Sequence, residues 1–148
     1  ETGVVPLYLK RTEDPISYEP KVVTAKLAGI RTLPQPGRKI PIWVGGVSAP
    51  ARRRAMALGD GWHGTRVPVE DIGAMTAELR AVRGPDFPLT MRVFWDPFED
   101  DHDMIKATTQ AYADAGIDGL IMEPRQRGLD DWLRAVEELW KLMRPWRG

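Results

Sequence analysis

The sequence predicts an α/β protein of parallel βα units, arranged as the C-terminal half of a (β/α)8 TIM barrel. Three observations carry that expectation. Short apolar runs begin near residues 40, 61, 89 and 118, at intervals of 21, 28 and 29 residues. Each run is followed by a stretch with helical periodicity. The 14 glycines and 13 prolines fall largely at the joints between them. Strands that alternate with helices at this interval need crossover connections, so their sheet is parallel. A four-stranded open sheet covered on both faces is the alternative that needs no further strands. The very short second strand and the long region ahead of the first favour half of an eight-unit barrel, a fold that takes about 250 residues.

Taken in order, residues 1–39 carry Pro6, Pro15, Pro20, Pro34 and Pro36 with weak periodicity. They read as an extended arm or insertion loop, with short strands at 4–9 and 22–27. The four βα units occupy 40–148. Ile40-Pro41-Ile42-Trp43-Val44 is an apolar run stopped by Gly45-Gly46, a buried strand. Ser48 suits an N-cap, Pro50 the first helical turn, and Gly59 a left-handed stop after Leu58. A very short strand spans 61–64. Pro68 opens a helix with Ile72, Met75, Leu79 and Val82 on one face, ended by Gly84-Pro85. The third strand is 89–95. Asp101 or Asp103 caps the next helix, whose buried side is predicted as Met104, Thr108, Ala111 and Ala115, with Gly116 as its stop. A fourth strand is expected at 117–122. Asp130 then caps a last helix with the stripe Leu133, Val136, Trp140 and Met143.

Composition narrows the function classes. Twenty-one basic residues balance 21 acidic ones, at a pI near 7.0. That balance argues against nucleic acid and against a polybasic membrane contact. With no cysteine, disulfides, thiolate metal sites and a cysteine nucleophile are excluded. Two histidines, His63 and His102, leave little for an imidazole metal site, and no metal is expected. No apolar run approaches the ~18 residues of a membrane span and no signal peptide is evident, so a cytoplasmic location is expected. The chain opens Glu1-Thr2-Gly3 without methionine, which reads as a processing product or an expression scar.

Gly45-Gly46-Val47-Ser48 joins a strand end to a helix start. Glycines let backbone N–H groups approach an anion, and a helix N-terminus adds partial positive charge, so this is a phosphate cradle in outline. The same four residues also describe a tight βα turn with a serine cap. Neither Walker loop, nucleophile elbow nor paired glycosidase-like carboxylates occur. Asp101-His102-Asp103 fits a helix start better than a metal cluster, because consecutive residues there point in different directions. Arg52-Arg53-Arg54 splay around a helix rather than forming a basic face. Trp132 and Trp140, eight residues apart, have packing rather than cage spacing, and Asp96-Pro97 reads as turn chemistry.

The stretch Ile40-Pro41-Ile42-Trp43-Val44-Gly45-Gly46, with Ser48, Arg53, Arg54, Ala55 and Leu58-Gly59-Asp60-Gly61-Trp62-His63, resembles the bacterial-luciferase-like oxidoreductases. Residues 13–18, Gly29-Ile30-Arg31 and Pro34-Gln35-Pro36 are similar to that family's lead-in. Tyr112-Ala113-Asp114-Ala115-Gly116-Ile117-Asp118-Gly119-Leu120-Ile121 is similar to its last helix–strand junction. The resemblance runs from about Glu13 to Trp140. It implies a TIM-barrel oxidoreductase or monooxygenase using the deazaflavin coenzyme F(420) or FMN, of which this chain looks like the C-terminal half.

On that resemblance, Gly45, Gly46, Val47 and Ser48 hold the cofactor phosphate, with the N–H groups of Gly46 to Ser48 aimed into the cleft. Gly61, Trp62 and His63 complete the phosphate and ring contacts. Trp62 also reads as a plain core residue, and His63, without a carboxylate partner in view, as a structural histidine or a proton donor. Catalytic side chains in such enzymes lie mainly on the early strands, so this chain by itself is expected to be inactive. Partners would be the flavin-type cofactor and a small organic substrate. A second copy, giving a dimer, or an N-terminal half would cover the open strand edges and inward residues such as Trp43 and Val93. The competing reading is a non-catalytic truncated or engineered half-barrel that self-associates and binds at most an anion.

Overall fold

A computed structural model describes residues 15–18, 27–31, 33–34 and 37–144. Four strands form one parallel sheet: β3 (Trp43–Gly45), β4 (Gly61–Thr65), β5 (Leu89–Trp95) and β6 (Gly119–Pro124), in the order β3-β4-β5-β6. Helices α1 (Ala49–Leu58), α2 (Val69–Arg83), α3 (His102–Asp114) and α4 (Leu129–Met143) follow β3 to β6 in turn. Alternating βα units on a parallel sheet in sequential order are the arrangement of a partial TIM barrel. Ahead of them, β1 (Ile16–Tyr18) and β2 (Leu27–Ile30) pair antiparallel. The expected strand at 4–9 lies outside the described residues, as does 22–27 except for Leu27.

The register assigns every strand residue to a face, because side chains alternate along a strand. Val44, Trp62 and Leu89 lie in one row, and Gly64, Met91 and Leu120 in the next. Val93 with Met122 and Trp95 with Pro124 continue the same face. This face is packed under the helices, where Ile72, Leu79, Ile105 and Leu139 complete the core. Val93 belongs to it and is buried, which corrects the expectation that it faces inward. The opposite face carries Trp43, Gly45, Gly61, His63, Thr65, Thr90, Arg92, Phe94, Ile121 and Glu123. It lacks a covering layer among the described residues, and Trp43 and Ile121 remain 43% and 52% exposed there.

One local device recurs. Asp60 precedes β4 and its carboxylate accepts from the Ile42 N–H at 2.9 Å, while its own N–H donates to the Ile42 carbonyl at 2.7 Å. Asp118 precedes β6 and clasps Leu89 in the same way, at 2.7 Å and 2.9 Å. Asp118 thus fixes the first residue of β5 and Asp60 the residue just before β3, which sets register at the N-terminal edge of the sheet. Pro41, which has no N–H to give a ladder, keeps β3 from reaching back to Ile40, and the strand starts at Trp43.

The α2 face keeps Ile72 and Leu79 of its expected stripe, whereas the α3 face is turned by one position. In α2 the buried residues are Ile72, Thr76 and Leu79, and Val82 is exposed. In α3 they are Ile105, Thr109 and Tyr112, with Met104 exposed. Thr76 and Thr109 are buried because their hydroxyls donate to main-chain carbonyls, Ala115 at 2.6 Å and Ile105 at 2.9 Å, so an apolar-only stripe misses them. Asp101 is the α3 cap, its carboxylate accepting from the Met104 N–H at 2.7 Å. Gly59 ends α1 at φ −80°, in extended and not left-handed backbone. Gly128, not Asp130, is the α4 cap residue, and Asp130 and Asp131 sit in the first turn, where the helix dipole favours them. Only Ala135 and Leu139 of α4 are buried; Leu133 and Trp140 stay exposed, Trp140 at the rim of an apolar hollow of about 250 Å³ beside β6.

Candidate functional site

In a parallel sheet the C-terminal strand ends and the loops that follow them form the mouth where ligands bind. Here that rim holds Gly45 to Ser48 after β3, Arg66 to Pro68 after β4, Asp96-Pro97 after β5 and Arg125 after β6. Gly46 adopts φ +112°, a conformation that suits glycine, and a β-carbon there would meet the Ala51 side chain at 3.0 Å. Its N–H donates to the His63 carbonyl at 3.1 Å, and its carbonyl accepts the Trp62 indole N–H at 2.8 Å. Gly46 is therefore consumed by β4. The N–H groups of Val47 and Ser48 have no acceptor among the described residues, so the free donors lie one residue later than the glycine pair suggests. The Ser48 hydroxyl caps α1 at a long 3.4 Å from the Ala51 N–H. Arg52 folds back over this turn, donating to the Val47 carbonyl at 2.6 Å and pairing with Glu78 at 2.6 Å.

The other expected site residues separate by level and by face. His63 stands beside Gly45 in the ladder, on the open face. Gly61 lies two residues lower, and a β-carbon on it would meet the Trp43 indole at 2.8 Å, so that ring covers it. Trp62 points the other way, fully buried in the helix-covered core, and contributes to the mouth only by holding Gly46. The structure thus brings Gly45, Gly46, Val47, Ser48 and His63 together, sets Gly61 two residues lower, and places the Trp62 ring beneath the turn, on the covered face, where its indole N–H holds Gly46.

On the open face His63 Nδ1 and the Thr90 hydroxyl share a hydrogen bond at 2.9 Å. Burial, and then the positive charge of Arg92, pull the His63 pKa below its usual value, so the imidazole is neutral near pH 7. A neutral imidazole keeps one N–H donor and one acceptor nitrogen. Arg92 pairs with Glu123 across β5 and β6, and both Arg66 and Arg92 lie over the Phe94 ring, at 4.3 Å and 5.0 Å from its centroid. Thr90, Arg92, Phe94 and Glu123 were missed as site residues. The alternation in Leu89-Thr90-Met91-Arg92-Val93-Phe94-Trp95 already separates a polar face from an apolar one, and that was the available signal.

Asp96 accepts from the Phe98 N–H at 3.0 Å, an Asx turn, and His102 contacts the Pro97 carbonyl at 2.8 Å through Nε2. Among the described residues no three His, Asp or Glu side chains are grouped to hold a metal ion, and no helix is long and apolar enough to cross a membrane.

A family model described as luciferase-like monooxygenase matches residues 7–128, across the sheet and the rim just described. The chain belongs to the luciferase-like monooxygenase family. No curated protein matches it. Membership places the chain among oxidoreductases and monooxygenases that generally use flavin-type cofactors.

Proposed function

We propose that this chain is the C-terminal part of a luciferase-like oxidoreductase and carries the phosphate side of its cofactor site, for the deazaflavin coenzyme F(420) or FMN. The observation that carries the reading is the pair of unpaired N–H groups at Val47 and Ser48, set at a sheet mouth and a helix N-terminus. Two donors and the α1 dipole suit a phosphate group, and Gly45 and Gly46 keep side chains out of its approach. Val47 and Ser48 would hold the phosphate, and Gly46 would fix the turn through Trp62. A bound flavin or deazaflavin would supply the hydride chemistry. His63, neutral and braced by Thr90, is placed to take up a proton on the open face.

Ser48→Asp tests this. Aspartate remains a competent N-cap, so folding should be retained. A carboxylate where the phosphate should sit should weaken FMN, F(420) and inorganic phosphate by tenfold or more, since each charge-assisted hydrogen bond contributes about 1.5–3 kcal/mol. Absorbance or fluorescence titration reads the effect. Unchanged affinity in the folded variant makes Gly45 to Ser48 a turn and nothing more.

The exposed Trp43 and Ile121, with edges of β3 and β6 that no strand among the described residues pairs, favour a paired state over a lone monomer. Either a second copy or the strands of an N-terminal half would serve. Light scattering should report a dimer of the isolated chain, and a stable monomer with exchange-protected edge amides would rule it out. Turnover by the isolated chain is expected to be absent even where cofactor binds, because the resemblance puts the substrate-orienting groups on earlier strands.

A further inference from the structure

Between the ends of β4 and β5 and the flank of α3 lies a cleft of about 430 Å³, within the range of small-molecule pockets. Phe94, Trp95, Thr108 and Tyr112 form its walls, and Arg66 and Arg125 stand at it. The two arginines differ in their surroundings. Arg125 is neutralised by Asp100: burial is the largest single influence and works against that carboxyl's charge, but the hydrogen bond from Arg125, the Asp96 N–H and the Arg125 charge together hold the carboxyl below the ordinary range. Arg66 has no carboxylate partner among the described residues. Its guanidinium instead lies 4.3 Å over the Phe94 ring, which holds it without neutralising it. Its backbone sits at φ +55°, the only non-glycine left-handed residue among those described. That conformation costs an arginine free energy, and such costs are kept where the resulting aim matters. The Tyr112 hydroxyl donates to the Val67 carbonyl at 2.6 Å and so braces the segment immediately after Arg66.

We propose that this cleft seats an oxyanion carried on an apolar body, a carboxylate or a phosphate ester, with Arg66 as its selecting group and the aromatic walls taking the apolar part. Its assignment as the substrate's seat rests on the oxidoreductase reading above; the binding itself does not. A planar guanidinium offers paired donors to either oxyanion, and its position against Phe94 removes rotamers it would otherwise lose on binding.

Amide chemical-shift titrations of the whole chain with benzoate, phenyl phosphate, inorganic phosphate and benzyl alcohol test the site. Benzoate or phenyl phosphate, whichever source is right, should bind saturably with shifts centred on Arg66, Phe94 and Thr108. Benzyl alcohol should bind at least about tenfold more weakly. Arg66→Asn keeps a residue that tolerates left-handed backbone and should abolish that preference, while Arg66→Lys should keep part of it. Equal affinity for benzoate and benzyl alcohol, shifts centred elsewhere, or an Arg66→Asn variant that still prefers the anion each overturns the proposal. Inorganic phosphate shifting only Val47 and Ser48 agrees with it, because the apolar body is then required here. Ser48→Asp separates the two sites: it should weaken FMN and leave benzoate unchanged. Loss of benzoate binding in that variant would make them one site and sink this inference, whereas failure of FMN to bind at all removes only the cofactor reading.

Discussion

The same four strands present two faces of different chemistry. The helix-covered face is Val44, Trp62, Leu89, Met91, Val93 and Trp95, all buried and apolar. The open face sets His63 against Thr90 and Arg92 against Glu123, with Trp43 and Ile121 half in solvent. A parallel sheet packed with apolar layers on both sides would show continuous apolar strands. The polar alternation of β5 says that its second face is built to meet something other than a plain hydrophobic layer. The apolar core lies on one side of the sheet, and the polar and half-exposed side chains on the other.

Truncation at the two tryptophans should separate these roles most widely. Trp62→Ala empties a fully buried position and removes the hydrogen bond to the Gly46 carbonyl, with an expected loss of about 3–5 kcal/mol. Trp43→Ala, on the open face, should cost the isolated chain under about 1 kcal/mol and show itself in association. Urea unfolding of both variants measures the difference. Similar losses at the two positions would mean the open face is already covered in solution.

The Asp clasps give an intermediate effect. Asp118→Ala leaves the N–H of fully buried Leu89 without its 2.7 Å acceptor and breaks the pairing with Arg80. An unpaired buried donor costs about 1–3 kcal/mol. Breaking the Arg92–Glu123 pair, which is partly exposed, should cost less than about 1 kcal/mol and alter the open face only. Hydrogen exchange should show the Asp118 effect at the β5–β6 edge, and a loss spread evenly over the sheet would deny the clasp its local role.

How far the sequence made this visible follows the same division. β5 at 89–95 and the order of the βα units were legible, because alternation and glycine–proline joints are local signals. The Asp101 cap and the Ser48 cap were legible for the same reason. The helix stripes were legible only in part: Ile72 and Leu79 are buried as expected, but Thr76 and Thr109 enter the core by way of tertiary and back-bonded hydroxyl partners. Gly59 misled because a glycine after a helix does not reveal its φ. The open-face group was hidden most deeply: His63, Thr90, Arg92 and Glu123 come from three strands, and only the register puts them in adjacent rows. The free donors at Val47 and Ser48 likewise depend on what β4 takes from Gly46.

The smallest effect is a pH dependence confined to the open face. The folded-state pKa of His63 is lowered, first by burial and then by Arg92, whose own charge is shared with Glu123. The unfolded chain, with a histidine near the usual value of about 6.5, then binds the proton more readily than the folded one. Stability from this group is complete above that value and is lost as the pH falls from there through the folded-state pKa. The urea midpoint should therefore drop between pH 7 and pH 5 by more in the native chain than in His63→Gln. Arg92→Gln should reduce the difference without removing it, because burial is the larger cause; it also leaves the Glu123 charge free to favour the imidazolium. Substitutions on the covered face, Val93→Ala for one, should lower the midpoint by the same amount at both pH values. A His63→Gln chain with an unchanged pH slope would show that the imidazole is as easily protonated in the fold as outside it, and the open face would lose its neutral base.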